Sequence, residues 1–346
     1  MYLASIDASK AFDRVNHSIL MHKLVERNVP ECYINVLVDW YSKLSSAVRW
    51  NDVLSSSFTV RCGVRQGGIL SPILFNVYVD ELILSLQNSG YGCYMKDVFV
   101  GCIMYADDLL ILSPSLNGLQ CLLDVCTDYG SKYYITFNAK KTCCIVVGKS
   151  FSNYDKLPIM HIGGMCISWV TTFKYLGIVF VAKKNLHVDV NYIKRKYYAA
   201  LNGLIYRCAT PHEPVKLKLV KSYCLPLLTY CIGALDLMNA ELAQLKMCWN
   251  DAFRTIFGYR KYDSVKQLQY FCNELPFEYI YDLALWHFRD TVKDKLAYLR
   301  VFCDIIEYEH LISVKFGELY NPMSSSYYCK RLAIYNHFCS LQSINI

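Results

Sequence analysis

Two adjacent acids, Asp107 and Asp108, stand between the apolar runs Val98 to Met104 and Leu109 to Leu112. Strand, tight turn and strand is the simplest reading of that pattern. Taken alone, it also suits a solvated hairpin tip. A third acid, Asp7, ends another buried-strand pattern, Leu3 to Ile6. Carboxylates carried to one sheet edge from separate strands can hold two Mg²⁺ ions roughly 3.5–4 Å apart against a phosphate. Such cations usually take only one or two carboxylates, and substrate phosphates complete the sphere. Asp7, Asp107 and Asp108 form a donor set of that kind for Mg²⁺, with Mn²⁺ as a substitute. It suits transfer of a nucleotide onto a 3′-hydroxyl.

The residues between the acids must shape whatever they act on. Gly63-Val64-Arg65-Gln66-Gly67-Gly68 leads into Leu70-Ser71-Pro72. Glycines allow a ligand to approach the main chain closely. Ser71 with Pro72 reads as an N-cap and first turn, and Ile73, Leu74, Val77, Leu82 and Leu86 follow at roughly helical spacing. That places Gln66 and the glycine backbone beside an incoming nucleotide and its template base. Phe12 could floor a sugar pocket and exclude a 2′-hydroxyl. Asp13 reads as a helix-surface or capping acid rather than a metal ligand.

These segments, in this order, resemble motifs A, B and C of reverse transcriptases. Motif A corresponds to Asp7 with Phe12, motif B to Arg65-Gln66-Gly67-Gly68 with Leu70-Ser71-Pro72, and motif C to Tyr105-Ala106-Asp107-Asp108. The wordings Ser5 to Asp13 and Gly63 to Asn76 resemble those of non-LTR (LINE-type) retrotransposons. The resemblance covers roughly Leu3 to Gly258 and is strongest to Gly177. It implies catalytic, metal-binding Asp7, Asp107 and Asp108, with Ala8, Phe12, Gln66, Gly67 and Lys141 on the nucleotide side. Lys141 lies in Phe137-Asn138-Ala139-Lys140-Lys141-Thr142, which is similar to motif D, and is a general acid, a phosphate contact or a solvated loop residue. Phe173-Lys174-Tyr175-Leu176-Gly177 resembles motif E, which grips the primer end, although Tyr175 could equally be core. The partners implied are an RNA template, a DNA primer and a deoxynucleoside triphosphate.

Composition agrees with a folded chain. The 346 residues are 54% hydrophobic and 19% charged, which argues against disorder. No apolar run reaches membrane-spanning length; the longest, Tyr223 to Leu235, contains Pro226 and reads as one buried helix. Seventeen cysteines without a Cys-x-x-Cys pair, among them Cys329 and Cys339 near His337, suit reduced thiols rather than zinc. An intracellular protein of cytoplasm and nucleus is expected, neither secreted nor membrane-bound.

The positive charge is concentrated. Lys183, Lys184, Lys194, Arg195, Lys196, Arg207, Lys216, Lys218 and Lys221 are opposed only by Asp189 and Glu213 over that stretch, an excess of seven that equals the chain's net +7. Tyr192, Tyr197, Tyr198 and Tyr206 interleave with them. Clustered cations neutralise phosphates and aromatics stack on bases, so Lys194, Arg195 and Lys196, with Tyr175, are expected to contact nucleic acid. The alternative is a solvated helix face.

The expected architecture is α+β, a right-hand polymerase palm with an antiparallel sheet backed by helices. The palm spans 1–182, a basic helical thumb 183–260, and a helical region of unknown role 261–346. Helices are expected from Val15 to Arg27, from Pro30 to about Leu44 and from Leu116 to Tyr129. A hairpin with Asn51-Asp52 at its turn and strands near Tyr133 to Phe137 and Cys143 to Val147 complete the pattern. Six residues precede Asp7, whereas an intact enzyme of this kind has fingers before motif A. The expectation is therefore a C-terminal portion of a larger polyprotein, without fingers or endonuclease, that polymerises poorly by itself. A catalytically inert nucleic-acid-binding remnant and a group II intron maturase-like protein are the competing readings.

Overall fold

The computed structural model describes residues 1–95, 98–208 and 211–296; Cys329, His337, Cys339 and most of the C-terminal region lie outside the described residues. The chain divides into two compact units, Met1–His187 and Val188–Ile346.

The first unit is α+β. In chain order it contains β1 (Tyr2–Asp7), α1 (His17–Glu26), α2 (Glu31–Ser42), the short strands β2 to β5 (Ser45–Ser46, Arg49–Trp50, Val53–Leu54, Phe58–Thr59) and α3 (Ser71–Asn88). There follow β6 and β7 (Tyr94–Met95, Val98–Phe99), β8 (Cys102–Tyr105), β9 (Asp108–Ser113), α4 (Leu116–Lys132), β10 (Cys143–Val146), β11 (Met160–Ile162) and β12 (Met165–Trp169). β13 (Thr172–Tyr175), β14 (Ile178–Ala182) and β15 (Leu186–Val188), the last ending at the boundary between the units, form their own three-stranded sheet.

The main sheet has the order β11-β12-β10-β1-β9-β8. It is antiparallel throughout except where β10 runs parallel to β12, which departs from the purely antiparallel expectation. Period-two alternation assigns its two faces. Ala4, Ile6, Leu109, Ile111 and Cys144 pack in one core with Leu74, Tyr78 and Leu82 of α3 and Leu119, Leu122 and Cys126 of α4. Leu3, Leu110 and Ile145 point the other way and pack with Phe173 and Ala182 of the β13–β14 hairpin. The helices and the motif E hairpin therefore cover opposite faces of the sheet.

One charge sits inside the helical side. Lys23 is 2% exposed; its ammonium lies 2.8 Å from Glu81, 3.2 Å from the Tyr129 hydroxyl and 4.1 Å from the Tyr133 ring centroid. Burial pushes the Lys23 pKa down, against the raising effect of Glu81.

Several expectations shift for identifiable reasons. The run Val98 to Met104 does not form one strand: Val98–Phe99 pairs with Tyr94–Met95, and the chain enters the main sheet only at Cys102. Tyr133 to Phe137 forms no strand, because Tyr134 adopts φ 57°, and only Phe137 bridges to Ala8. Ser71 is the first buried turn of α3 rather than its cap, a place taken by Leu70 without a side-chain bond. The hairpin at Asn51-Asp52 forms as expected, with Arg49 opposite Leu54 and Trp50 opposite Val53.

The second unit is helical over its described residues: α5 (Val190–Arg207), α6 (Glu213–Tyr223), α7 (Leu225–Thr229), α8 (Asn239–Phe257), α9 (Lys266–Phe271) and α10 (Phe277–Leu296). Tyr197, Leu201, Trp249 and Phe253 share one buried core with Val265 and Phe277, so the packing continues past residue 260. Tyr223 to Leu235 is not one helix. Pro226, which cannot donate to a preceding turn, sits in the first turn of α7, and Cys231 at φ 54° starts a separate 3-10 turn. Both Tyr223 and Tyr230 are exposed. All fourteen cysteines among the described residues are free. No helix among the described residues is long and apolar enough to cross a membrane.

Candidate active site

Asp7 and Asp108 are direct cross-strand partners, the last pair of the β1–β9 ladder. Alternation puts them on the face shared by Leu3 and Leu110, away from α3 and α4. Tyr105 pairs with Asp108, so Ala106 and Asp107 alone form the turn, and Ala106 takes φ 52° to close it. Directly opposed residues have Cβ atoms about 4.5–5.5 Å apart, and like charges there repel. Burial raises the Asp108 pKa, the charges of Asp107 and Asp7 raise it further, and Lys174 opposes them.

The motif D segment wraps Asp7. Asn138 N–H donates to the Asp7 carbonyl at 2.8 Å, and Asp7 N–H donates to Thr142 Oγ1 at 3.3 Å. These bonds bring the Lys141 ammonium to 3.5 Å from Asp7 Oδ1, while its side chain stays 67% exposed and open to a second anion. Ala8 is buried and bridges to Phe137. Lys140 is exposed, and its backbone N–H donates to Asn138 Oδ1.

Motif E covers the face opposite α3 and α4, the face that carries Asp7 and Asp108. The Tyr175 hydroxyl donates to the Ile103 carbonyl at 3.2 Å, on the edge strand β8. Burial, with Asp108 and Cys102, pushes the Tyr175 pKa up to about 12. Leu176 at φ 45° and Gly177 at φ 86° turn the hairpin. Tyr175 thus has an internal partner, and its neighbour Lys174 supplies the positive charge beside Asp108. Sequence reading gave Lys174 no role; its place beside Asp108 depends on how the hairpin meets β9, which no local pattern shows.

Motif B is stitched to the turn after motif A. Gly63 N–H donates to the Val15 carbonyl and Val64 N–H to the Phe12 carbonyl, both at 2.8 Å. Phe12 stacks on Phe75 of α3 at 4.5 Å between centroids and 11° between planes. Gln66 is exposed and donates its amide to Asp13 Oδ1 at 3.3 Å. Gly67, at φ 83°, has open space where a Cβ would lie. Gly63, at φ 94°, has none, because a Cβ there would meet the Asp13 Cα and carbonyl oxygen at 2.9 Å. Gly63→Ala is expected to destabilise the first unit by about 2 kcal/mol, read as a lower denaturant midpoint; an unchanged midpoint would show that this loop yields freely.

In the second unit, the cations of α5 differ in their contacts. Lys194 donates to Gln244 Oε1 at 3.1 Å, Arg195 lies 3.9 Å from Asp189, and Lys196 sits 4.6 Å from the Tyr192 ring centroid. Arg195 and Lys196 are exposed and Lys194 is half-buried.

The donor chemistry of the acidic turn fits Mg²⁺ or Mn²⁺: hard carboxylate oxygens, mutually repelling, on an open face. Among the described residues no three acids, histidines or cysteines are gathered into a ready-made cage. Asp7, Asp107 and Asp108 would hold the ions only with further oxygens, such as substrate phosphates, completing the sphere.

Residues 1–180 match the family model for reverse transcriptase (RNA-dependent DNA polymerase). The chain belongs to the reverse transcriptase family. It is 30% identical over 189 residues to the Pol polyprotein of the type-2 retrotransposable element R2DM of Drosophila melanogaster, covering 52% of this chain and 18% of that protein. It is 28% identical over 243 residues to the Pol polyprotein of a type-1 retrotransposable element R2 of Popillia japonica, covering 66% and 32%. It is 24% identical over 264 residues to the RNA-directed DNA polymerase from mobile element jockey of Drosophila funebris, covering 73% and 28%. The chain thus spans a third or less of these three relatives. Among solved structures, apo telomerase from Candida tropicalis matches with 14% identity and a TM-score of 0.43, over 89% of this chain and 52% of that one. The chain is similar in kind to non-LTR retrotransposon proteins, as its motif A and B wordings implied.

Proposed function

We propose that this chain performs RNA-directed DNA polymerisation of the LINE type, with residues 1–182 as palm and the basic residues within 183–260 as the duplex-holding thumb. The observation that carries the reading is the pairing of Asp7 with Asp108, beside Asp107, on the sheet face that no helix covers. In the reaction, the primer 3′-oxygen bonds to the α-phosphorus of the deoxynucleoside triphosphate. The bond from that phosphorus to the bridging oxygen breaks, and pyrophosphate leaves. Bound Mg²⁺ or Mn²⁺ would acidify the 3′-hydroxyl and neutralise charge on the triphosphate. Asp7, Asp107 and Asp108 supply oxygen ligands. Lys141, tethered at Asp7 through the Asn138 and Thr142 bonds, is placed to meet a phosphate or to give its proton to the leaving pyrophosphate. Ala8, Phe12, Gln66 and Gly67 line the nucleotide side, and Phe12 has its plane fixed by Phe75. Lys194, Arg195 and Lys196 bind backbone phosphates, and Tyr175 fixes the primer-gripping hairpin.

Primer extension on poly(rA)·oligo(dT) with labelled dTTP and Mg²⁺ tests this, beside duplex binding and melting with and without Mn²⁺. The expected result is template-dependent incorporation, however slow, and a melting temperature raised by Mn²⁺ through preferential binding to the folded state. Duplex binding with neither incorporation nor a Mn²⁺ shift would instead identify a nucleic-acid-binding protein without catalysis.

A further inference from the structure

We infer that Asp13 is a positioning residue for nucleotide binding, acting by fixing which end of the Gln66 amide faces the substrate; the inference rests on the polymerase reading above. Sequence placement made Asp13 a helix-surface or capping acid. The structure puts it on a short 3-10 turn, Phe12–Arg14, whose two flanks are pinned. On one side Phe12 stacks on Phe75 and accepts from Val64 N–H. On the other, Val15 accepts from Gly63 N–H, and His17 Nε2 lies 2.8 Å from the Gly63 carbonyl oxygen. Gly63 itself rests against the Asp13 backbone. The Asp13 backbone is therefore held at a set place relative to the Cys62–Gln66 loop, and its exposed carboxylate accepts from Gln66 across the gap.

Gln66 is the only side-chain partner of Asp13 among the described residues. An ionised carboxylate can only accept hydrogen bonds, whereas a glutamine amide has a donating and an accepting end. The pairing therefore forces the Gln66 amino group toward Asp13 and turns Oε1 outward. Both residues, with Arg65, rim an open cavity of about 580 Å³ whose walls include Leu44, Val60 and Val64. That volume is within the range of small-molecule sites, roughly 300–1,000 Å³. Gln66 thus offers the nucleotide a preset acceptor rather than an amide free to flip. Asparagine at 13 would keep the size and a hydrogen bond but lose the lock, because its own amide can pair with either end of Gln66.

The test is dTTP affinity on poly(rA) with a dideoxy-terminated oligo(dT) primer, where binding is read without turnover. Wild type, Asp13→Asn, Asp13→Glu, Gln66→Ala and the Asp13→Asn/Gln66→Ala double variant are compared, each with its melting temperature and its affinity for the duplex. Single-turnover extension on an unblocked primer gives the rate constant at saturating dTTP. The expected result is a dTTP Kd raised roughly tenfold in Asp13→Asn, partly restored in Asp13→Glu, with the double variant no weaker than Gln66→Ala alone. The rate at saturation should move much less than Kd, and duplex affinity should hold. Wild-type affinity in Asp13→Asn, additive losses in the double variant, or losses that track a lowered melting temperature would each overturn the inference alone. Wild-type protein that binds no dTTP would overturn the polymerase reading and this inference with it.

Discussion

Asp108→Asn is expected to lower template-directed incorporation by roughly a thousandfold, the equivalent of several kcal/mol of lost charge stabilisation at the transferring phosphate. The fold should not suffer. Asp108 is opposed by Asp7 across the ladder and adjoins Asp107, and its pKa is raised by burial and by those charges. An acid whose folded pKa lies above its unfolded value binds its proton more tightly when folded, so its ionised form costs stability above the folded pKa. That cost is present at neutral pH and is relieved as pH falls through the raised pKa. In divalent-free buffer, Asp108→Asn should therefore melt at or above the wild-type temperature, and it should lose the stabilisation that Mn²⁺ gives the wild type. Loss of incorporation together with a lowered metal-free melting temperature would mean that Asp108 is needed for packing.

The second large effect concerns the helical unit. Trp249→Ala should cost about 4 kcal/mol, as large-to-small changes at fully buried aromatics do. Trp249 has no exposed surface, meets Phe253 edge-on at 5.0 Å and donates its indole N–H to the Leu275 carbonyl at 3.0 Å. Truncation leaves both a void and an unpaired buried carbonyl. The same core anchors Tyr197 and Leu201 of α5, the helix that carries Lys194, Arg195 and Lys196. Denaturant unfolding should show the helical unit melting at a lower midpoint. Duplex affinity should fall at the temperature where that unit unfolds, and its salt dependence should flatten as phosphate contacts are lost. Unchanged duplex binding after the helical unit has melted would remove the thumb from the proposed function.

The acids were legible in sequence because they interrupt apolar runs, and an acid ending a core strand has few structural reasons to be there. The motif order supplied the resemblance to reverse transcriptases, and the family match over residues 1–180 agrees with that resemblance. Two-metal chemistry implied that Asp7 and the Asp107-Asp108 pair could meet at one sheet edge. The direct opposition of Asp7 and Asp108 could not be read, since register depends on which strands pair, and that is settled by the core beneath Ala4, Ile6, Leu109 and Ile111.

The failures have local causes. Apolar character alone suggested continuous elements at Val98 to Met104 and Tyr223 to Leu235. A bend at Gly101, with Val98–Phe99 pairing to Tyr94–Met95 instead, broke the first, and Pro226 with the left-handed Cys231 broke the second; hydrophobicity encodes none of these. Lys23 offered no signal at all: a lysine on an amphipathic helix is ordinarily solvated, and only the meeting of α1 with Glu81, Tyr129 and Tyr133 makes it a buried cation. The pairing of Asp13 with Gln66 spans 53 positions and is invisible to any local pattern. Sequence by itself determined which chemical groups this protein carries and in what order. Tertiary structure decided which of them face one another, because distance between side chains depends on strand register and packing rather than on spacing along the chain.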